Sequence, residues 1–198
     1  VKAFRLASKS APTRKLAETP RRFHVENMPK GTFLLVPKVS SEKRSYIPIG
    51  FIKPSTLVSD LVFIVPNATL FHFGVLSSLM HMAWVRAVCG RLESRYRYSA
   101  GIVYNNFPWP EPTEKQQEVI EQAAQGVLDA RSKFPDSSLA DLYDPVAMPP
   151  ELTKAHKALD KAVDAAYGKT KFAGEAERVA FLFQRYEHLT TLLPTATK

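Results

Sequence analysis

A chain of 198 residues with a formal charge of +8 at neutral pH can bury one sizeable core, or one core and a smaller helical appendage, and it attracts polyanions. Its one cysteine excludes an internal disulfide and a cysteine cluster for zinc, which suits a reducing, cytoplasmic setting, and no apolar run approaches the roughly 20 residues that span a bilayer. The charge is uneven: residues 1–110 hold 16 Lys and Arg against 5 Asp and Glu, residues 111–198 hold 11 against 14, and so the first half is the candidate for nucleic acid.

In chain order, Val1 rather than Met precedes a basic run over 2–22, which predicts a piece of a longer polypeptide hanging from an upstream domain. Residues 1–30, punctuated by Pro12, Pro20 and Pro29, read as a lead-in segment with one short helix over 11–18. Residues 31–112 predict an α+β recognition domain, with short runs of branched and aromatic residues at 32–36, 46–52, 61–65 and 69–73 as strands of a small mixed or antiparallel sheet. A central helix is expected over 75–89, where Leu76, Leu79, Met80, Ala83, Ala87 and Val88 recur at helical spacing and Gly90 suits a left-handed stop. It delivers a loop over 93–98, followed by a strand at 102–105 and the proline-broken run Phe107-Pro108-Trp109-Pro110-Glu111-Pro112 that closes the domain. Residues 113–198 switch to a 3.6-residue period and predict an α-helical bundle. Its stripes are Ile120, Ala124, Val127 and Leu128 after a Thr113 cap, Leu152, Leu159 and Val163 after Pro149-Pro150, and Val179, Leu182, Phe183 and Tyr186 from about Glu175.

Chemistry of the catalytic kind has little support. The glycines at 31, 50, 74, 90 and 101 stand singly, with no phosphate loop, nucleotide fingerprint or zinc-protease motif, so no catalytic residue, bound cofactor or metal is expected within the chain. His72 and His81 sit in apolar surroundings and read as core or boundary histidines, Cys89 as a packing residue, and His156 on its Lys-rich helix as solvated. The basic loops are more informative. Ser40, Ser41, Lys43 and Arg44 place hydroxyls and cations beside a strand start, a mixture that fixes a protein on phosphates, although a solvated turn has the same composition. The run Gly90-Arg91-Leu92-Glu93-Ser94-Arg95-Tyr96-Arg97-Tyr98-Ser99 interleaves arginine and tyrosine, which suits phosphate contacts from Arg91, Tyr96 and Tyr98 beside base contacts from Glu93 and Arg95. Glu93 and Arg95, two apart in an extended segment, either span one C·G pair, the carboxylate accepting from cytosine and the guanidinium forking onto guanine, or pair with each other at the surface. An RNA-binding module that stacks bases on exposed tyrosines, and a helical protein-interaction domain, are the rival classes.

Several stretches together resemble the target recognition domain of MmeI-like DNA adenine methyltransferases of single-chain type II restriction-modification systems. They are Ser40-Ser41-Glu42-Lys43-Arg44-Ser45-Tyr46-Ile47-Pro48, Phe73-Gly74-Val75-Leu76-Ser77-Ser78, Met80-His81-Met82-Ala83-Trp84, and Tyr96-Arg97-Tyr98-Ser99 through Tyr104-Asn105-Asn106-Phe107-Pro108-Trp109-Pro110. Leu139-Ala140-Asp141-Leu142-Tyr143-Asp144 and Met148-Pro149-Pro150-Glu151-Leu152 are similar to the helical C-terminal segment of the same proteins. The resemblance implies a parent enzyme that takes its methyl group from S-adenosylmethionine, with a magnesium-dependent nuclease fused in some relatives, and it makes this chain the reader of duplex DNA beside an upstream methyltransferase domain. It also implies paired base-reading positions, Glu93 with Arg95, Lys38 with Asp60, and Leu61 with Arg97.

Overall fold

The structure is a computed structural model that describes residues 1–22, 28–169 and 171–191; residues 23–27 of the lead-in segment and 192–198 of the helical region lie outside the described residues. Two helices, α1 (Lys2–Leu6) and α2 (Ala11–Lys15), open the chain. Each is too short to persist by its own hydrogen bonds. Arg5 ties them together, donating from Nη1 to the carbonyls of Leu16 at 2.8 Å and Thr19 at 3.1 Å.

The continuous apolar run Phe33-Leu34-Leu35-Val36 then opens a stretch broken at Lys38 into β1 (Phe33–Pro37) and β2 (Val39–Ser40). In the first sheet β1 lies between β3 (Gly50–Ile52) and β4 (Val62–Val65), antiparallel to both, with Leu34 opposite Val65 and Val36 opposite Phe63. In the second, β2 pairs with the far strand of a hairpin formed by β5 (Gly90–Leu92) and β6 (Arg95–Arg97). Both sheets are three-stranded and antiparallel.

Several local expectations give way here. The run at 69–73 is not a strand but the start of α3 (Leu70–Leu76), because Thr69 and His72 cap it reciprocally, the Thr69 N–H donating to His72 Nδ1 at 3.2 Å. The helix expected over 75–89 is two helices, since Ser78 restarts the chain as the cap of α4 (Leu79–Val88), its Oγ accepting from His81 N at 3.3 Å. Gly90 is not a left-handed stop; Cys89 is extended (φ −73°, ψ 148°) and leads directly into β5. Residues 102–105 form no strand, because 100–104 close a π-helical turn in which Asn105 N donates to Ala100 O at 2.9 Å. Strand structure over 46–52 is confined to β3, while Tyr46, Ile47 and Ile49 turn into the core.

The helical region comprises α5 (Glu114–Ser132), the short α6 (Leu139–Leu142), α7 (Pro150–Ala166) and α8 (Glu175–Thr190). Thr113 caps α5 through Gln116, as the sequence leads one to expect, and α7 begins with Pro150 at its first position. The helices dock on the recognition half. Gly74 of α3 lets α5 and α7 approach so closely that a Cβ there would lie 2.8 Å from Ile120 Cγ2 and 3.2 Å from Leu159 Cδ1. Phe183 and Tyr186 of α8 pack on Trp84 of α4, at ring separations of 5.3 and 5.8 Å. One core therefore runs from Leu34 of β1 to Leu182 of α8, and the fold is α+β with a helical region behind the sheets.

Candidate functional site

Lys38 is the joint between the two sheets. Its N–H donates to Leu61 O at 2.9 Å and its carbonyl accepts from Tyr98 N at 2.8 Å. These two backbone bonds bring the 60–61 segment and the 97–98 segment to either side of Lys38, so Lys38, Asp60, Leu61 and Arg97 line one open cleft of about 650 Å³. Phe63 on the neighbouring strand forms part of its wall and holds the Lys38 ammonium 5.1 Å above its ring. Asp60, Leu61 and Arg97 are exposed, and no carboxylate among the described residues pairs with Lys38 or Arg97.

The segment 93–98, expected as a loop, is the turn and second strand of the β5–β6 hairpin. Glu93 and Ser94 form the turn, and Glu93 adopts φ +58°, a left-handed conformation that costs an L-residue roughly 1 to 2 kcal/mol. The period-two alternation of β6 turns Tyr96 inward and leaves Arg95 and Arg97 on the outer face with Leu92 of β5, opposite Arg95 in the register. Arg95 Nη2 donates to Glu93 Oε2 at 2.8 Å, with Arg95 45% and Glu93 77% exposed in their side chains. Of the two readings of this pair, the chain by itself adopts the mutual one.

The residues expected at phosphates divide into two sets. Lys43 is exposed at a turn held by its own N–H to Ser41 Oγ at 3.2 Å, and Arg91 lies over the Tyr96 ring at 4.3 Å with Nη1 on Ser94 O. Arg44 is half-buried and reaches Ala140 O of the helical region at 3.4 Å. Ser40, Tyr96 and Tyr98 instead face the interior. The Tyr96 hydroxyl donates to Glu42 O and accepts from Arg86 Nε, while the Tyr98 hydroxyl meets His81 Nε2 at 3.0 Å. These tyrosines position the cleft rather than stand exposed for stacking. Burial also holds the His81 imidazole neutral, with its pKa lowered to about 3, and pushes the Tyr98 hydroxyl well above the usual phenol range.

Behind the sheets lies a buried polar network that sequence reasoning missed in part. Arg131 of α5 donates from Nη1 to Ile49 O at 2.7 Å and from Nε to the Tyr143 hydroxyl at 2.9 Å, and that hydroxyl meets His156 Nε2 at 2.6 Å. The Tyr46 ring stacks on His156 at 3.9 Å, and its hydroxyl donates to Asp160 Oδ2 at 2.7 Å. His156, expected to be solvated, is thus wholly buried. It lies four residues after Leu152 and three before Leu159, on the apolar stripe itself, and that spacing was the available signal. Burial pushes the Asp160 carboxyl up to about 6. The proline run 107–112 is likewise held from behind, with the Tyr167 hydroxyl on Pro108 O and Arg185 on Trp109 O and Glu111. Among the described residues no cluster of His, Cys, Asp or Glu could hold a metal, and no helix is long and apolar enough to cross a membrane.

A charged cleft across two small sheets, braced by helices that leave its face open, defines a target recognition module. Residues 1–111 match the family described as MmeI, target recognition domain, and residues 112–194 match MmeI, C-terminal domain; the chain belongs to the MmeI family. It is 41% identical over 189 residues to DNA methyltransferase A of Bacillus subtilis (strain 168), a match that takes in 96% of this chain and 21% of that protein. It is similar, with a TM-score of 0.89 and 52% identity, to the solved structure of the Type IIL restriction-modification enzyme MmeI in complex with DNA, over 97% of this chain and 26% of that one. The chain thus spans between a fifth and about a quarter of the length of these relatives.

Proposed function

We propose that this chain reads the base sequence of duplex DNA on behalf of a longer protein that methylates an adenine amino group in a restriction-modification system. The observation that carries the reading is the convergence of Lys38, Asp60, Leu61 and Arg97 on one cleft, through the two backbone hydrogen bonds of Lys38. A cation and a carboxylate lining one cleft match the acceptors of guanine and the amino donor of cytosine, so Lys38 and Asp60 suit a G·C pair. Glu93 and Arg95 at the hairpin turn suit a second. Their surface ion pair is worth under about 1 kcal/mol and separates at little cost when each side chain takes a base. Lys43, Arg44 and Arg91 would fix register on the phosphates, with the Ser41 turn supporting Lys43.

The relatives' names support the partner, since one is a DNA methyltransferase and the other was solved with DNA. In this reading the adenosyl cofactor belongs to the rest of the longer protein, in keeping with glycines that stand singly in this sequence and strand pairs that are antiparallel among the described residues. S-adenosylmethionine, and magnesium where a nuclease is fused, would be held by the upstream methyltransferase and nuclease segments, with base flipping there and specificity set here. Domains at 31–112 and 113–198 behind the 1–30 lead-in, and a cytoplasmic setting with access to DNA, complete the proposal.

Selection from a randomised duplex pool at moderate salt, followed by sequencing of the bound DNA, tests it. Enrichment of a short asymmetric motif is the expected result. Preference for single-stranded RNA, or no binding at any salt, would overturn it in favour of the RNA-binding or helical-interaction readings. A sharper check exchanges the charges of one pair: Glu93→Lys together with Arg95→Asp changes one base pair of the enriched motif and leaves the others.

A further inference from the structure

The reading cleft carries apolar side chains that hydrogen-bond matching does not use. Leu92 is 40% exposed and Ile102 is 54% exposed, and both line the cleft beside Lys38, Asp60 and Arg97. Each is placed there by specific geometry. Leu92 precedes the hairpin turn, opposite Arg95, on the face that alternation gives to Arg95 and Arg97. Ile102 projects from the π-helical turn 100–104, its N–H fixed by Ser99 Oγ at 3.2 Å. Single exposed leucines need no explanation, but two exposed aliphatic side chains that line one cleft beside Lys38, Asp60 and Arg97 mark a surface that meets an apolar group. In the major groove the four base pairs present hydrogen-bond donors and acceptors, and the one alkyl group among them is the thymine 5-methyl.

We propose that Leu92 and Ile102 form a specificity contact for the 5-methyl group of a thymine within the recognised site. The inference rests on the cleft being a DNA-reading surface, and it adds a position read by shape and apolar contact to those read by charge. It accounts for an isoleucine on an exposed π-turn, where a solvated position favours a polar residue.

The test uses duplexes bearing the enriched motif, in which each thymine in turn is replaced by uracil, so that only the methyl group is lost. Binding of the full 198-residue chain is compared with that of Leu92→Ala and Ile102→Ala, both at exposed positions where the fold tolerates truncation. At one thymine the uracil duplex is expected to bind about fourfold more weakly, the weight of one buried methyl group. In each variant this thymine-to-uracil ratio falls toward one. A ratio of one at every position in the unaltered chain, on duplexes that still bind, overturns the methyl contact and leaves the DNA-reading cleft standing. A ratio that persists undiminished in both variants overturns the assignment to these residues. Failure of the chain to bind any duplex overturns the inference and the reading beneath it together.

Discussion

Arg131 and Arg97 carry the same guanidinium in opposite surroundings. Arg131 of α5 is 9% exposed, donates to Ile49 O and the Tyr143 hydroxyl, and lies over the rings of Phe73 and Tyr143. Arg97 of β6 stands exposed in the cleft between Val39 and Gly90, paired with no carboxylate among the described residues. Behind the sheets, charge is consumed by the fold, as the pairing of Arg178 with Asp164 and of Arg185 with Glu111 also shows. On the cleft face Lys38 and Arg97 pair with no carboxylate among the described residues, and the one ion pair there, Glu93 with Arg95, is exposed. Stability and recognition therefore reside in separable residues, although one core joins the two halves.

The largest expected effect breaks this comparison at its buried end. Arg131→Met keeps the packed stem but leaves Ile49 O and the Tyr143 hydroxyl short of a donor in the interior, at a cost of about 3 kcal/mol in denaturant unfolding. Arg97→Ala is expected to change the unfolding free energy by less than about 0.5 kcal/mol while reducing discrimination at one base pair by about 1 to 3 kcal/mol. If Arg97→Ala unfolds the chain, or Arg131→Met alters which duplexes are selected at a temperature where it is folded, the separation fails.

The same contrast applies to glycine. Gly74→Ala adds a methyl 2.8 Å from Ile120 Cγ2 and 3.2 Å from both Ala124 Cβ and Leu159 Cδ1, three contacts that hold α5 and α7 against α3. Overpacking of about 1 to 3 kcal/mol outweighs the gain of up to about 1 kcal/mol from alanine in a helix, so thermal unfolding shifts downward. At Gly101, in the π-helical turn, an added methyl meets nothing within 4 Å, so alanine there only restricts the unfolded chain and raises the midpoint slightly. The pair measures how tightly the helical region is applied to the recognition half.

How much of this was readable beforehand varies along the chain for physical reasons. The helices from Thr113, Pro150 and Glu175 declared themselves because their apolar periodicity runs over 16 to 19 residues, and the strand at 33–37 because a short apolar run is bounded by turn residues. The stretch 69–73 did not, since Leu70, Phe71 and Phe73 suit a short strand as well as a helix, and only the Thr69–His72 pair decides it. The β5–β6 hairpin was hidden because each strand has three residues, too few to show alternation, and its turn lacks the glycine that usually signals one. For the cleft, residue types suggested chemistry at Glu93 and Arg95, and the family resemblance supplied Lys38, Asp60, Leu61 and Arg97. Their assembly depends on bonds from Leu61 and Tyr98 to Lys38 that link distant segments, and no local pattern contains those.

The two buried histidines sharpen the comparison through pH. Burial lowers the pKa of His81 and of His156 to about 3 from 6.5, so each binds its proton more readily in the unfolded chain. Their folded pKa values are depressed, so their contribution to stability is complete above about pH 6.5 and is lost as pH falls toward 3. Asp160 runs the other way. Its carboxyl is raised to about 6 from 3.8, so the folded chain binds that proton more tightly and offsets one histidine between pH 6 and 4. His81→Gln is expected to remove one proton from the linkage, reducing the slope of unfolding free energy against pH by about 1.4 kcal/mol per unit between pH 6 and 4. An unaltered slope would mean that His81 is charged, or solvated, in the folded chain.

The smallest effect lies at the hairpin turn, where stability and recognition meet in one residue. Glu93 holds a left-handed φ of +58°, a conformation that glycine adopts without strain, and its carboxylate reaches Arg95 at 2.8 Å. Glu93→Gly removes the strain and a surface ion pair of small worth, while glycine adds freedom to the unfolded chain. The balance is a change within about 1 kcal/mol, on the side of greater stability. Recognition responds in the opposite sense, because the variant keeps the arginine and loses its carboxylate partner, and the base pair assigned to Glu93 and Arg95 is read less strictly in the selected pool. A residue that is retained for shape alone would show the stability change without the relaxed position. A strained glutamate whose replacement firms the turn and blurs one base pair is the outcome expected where a turn is built to present a side chain.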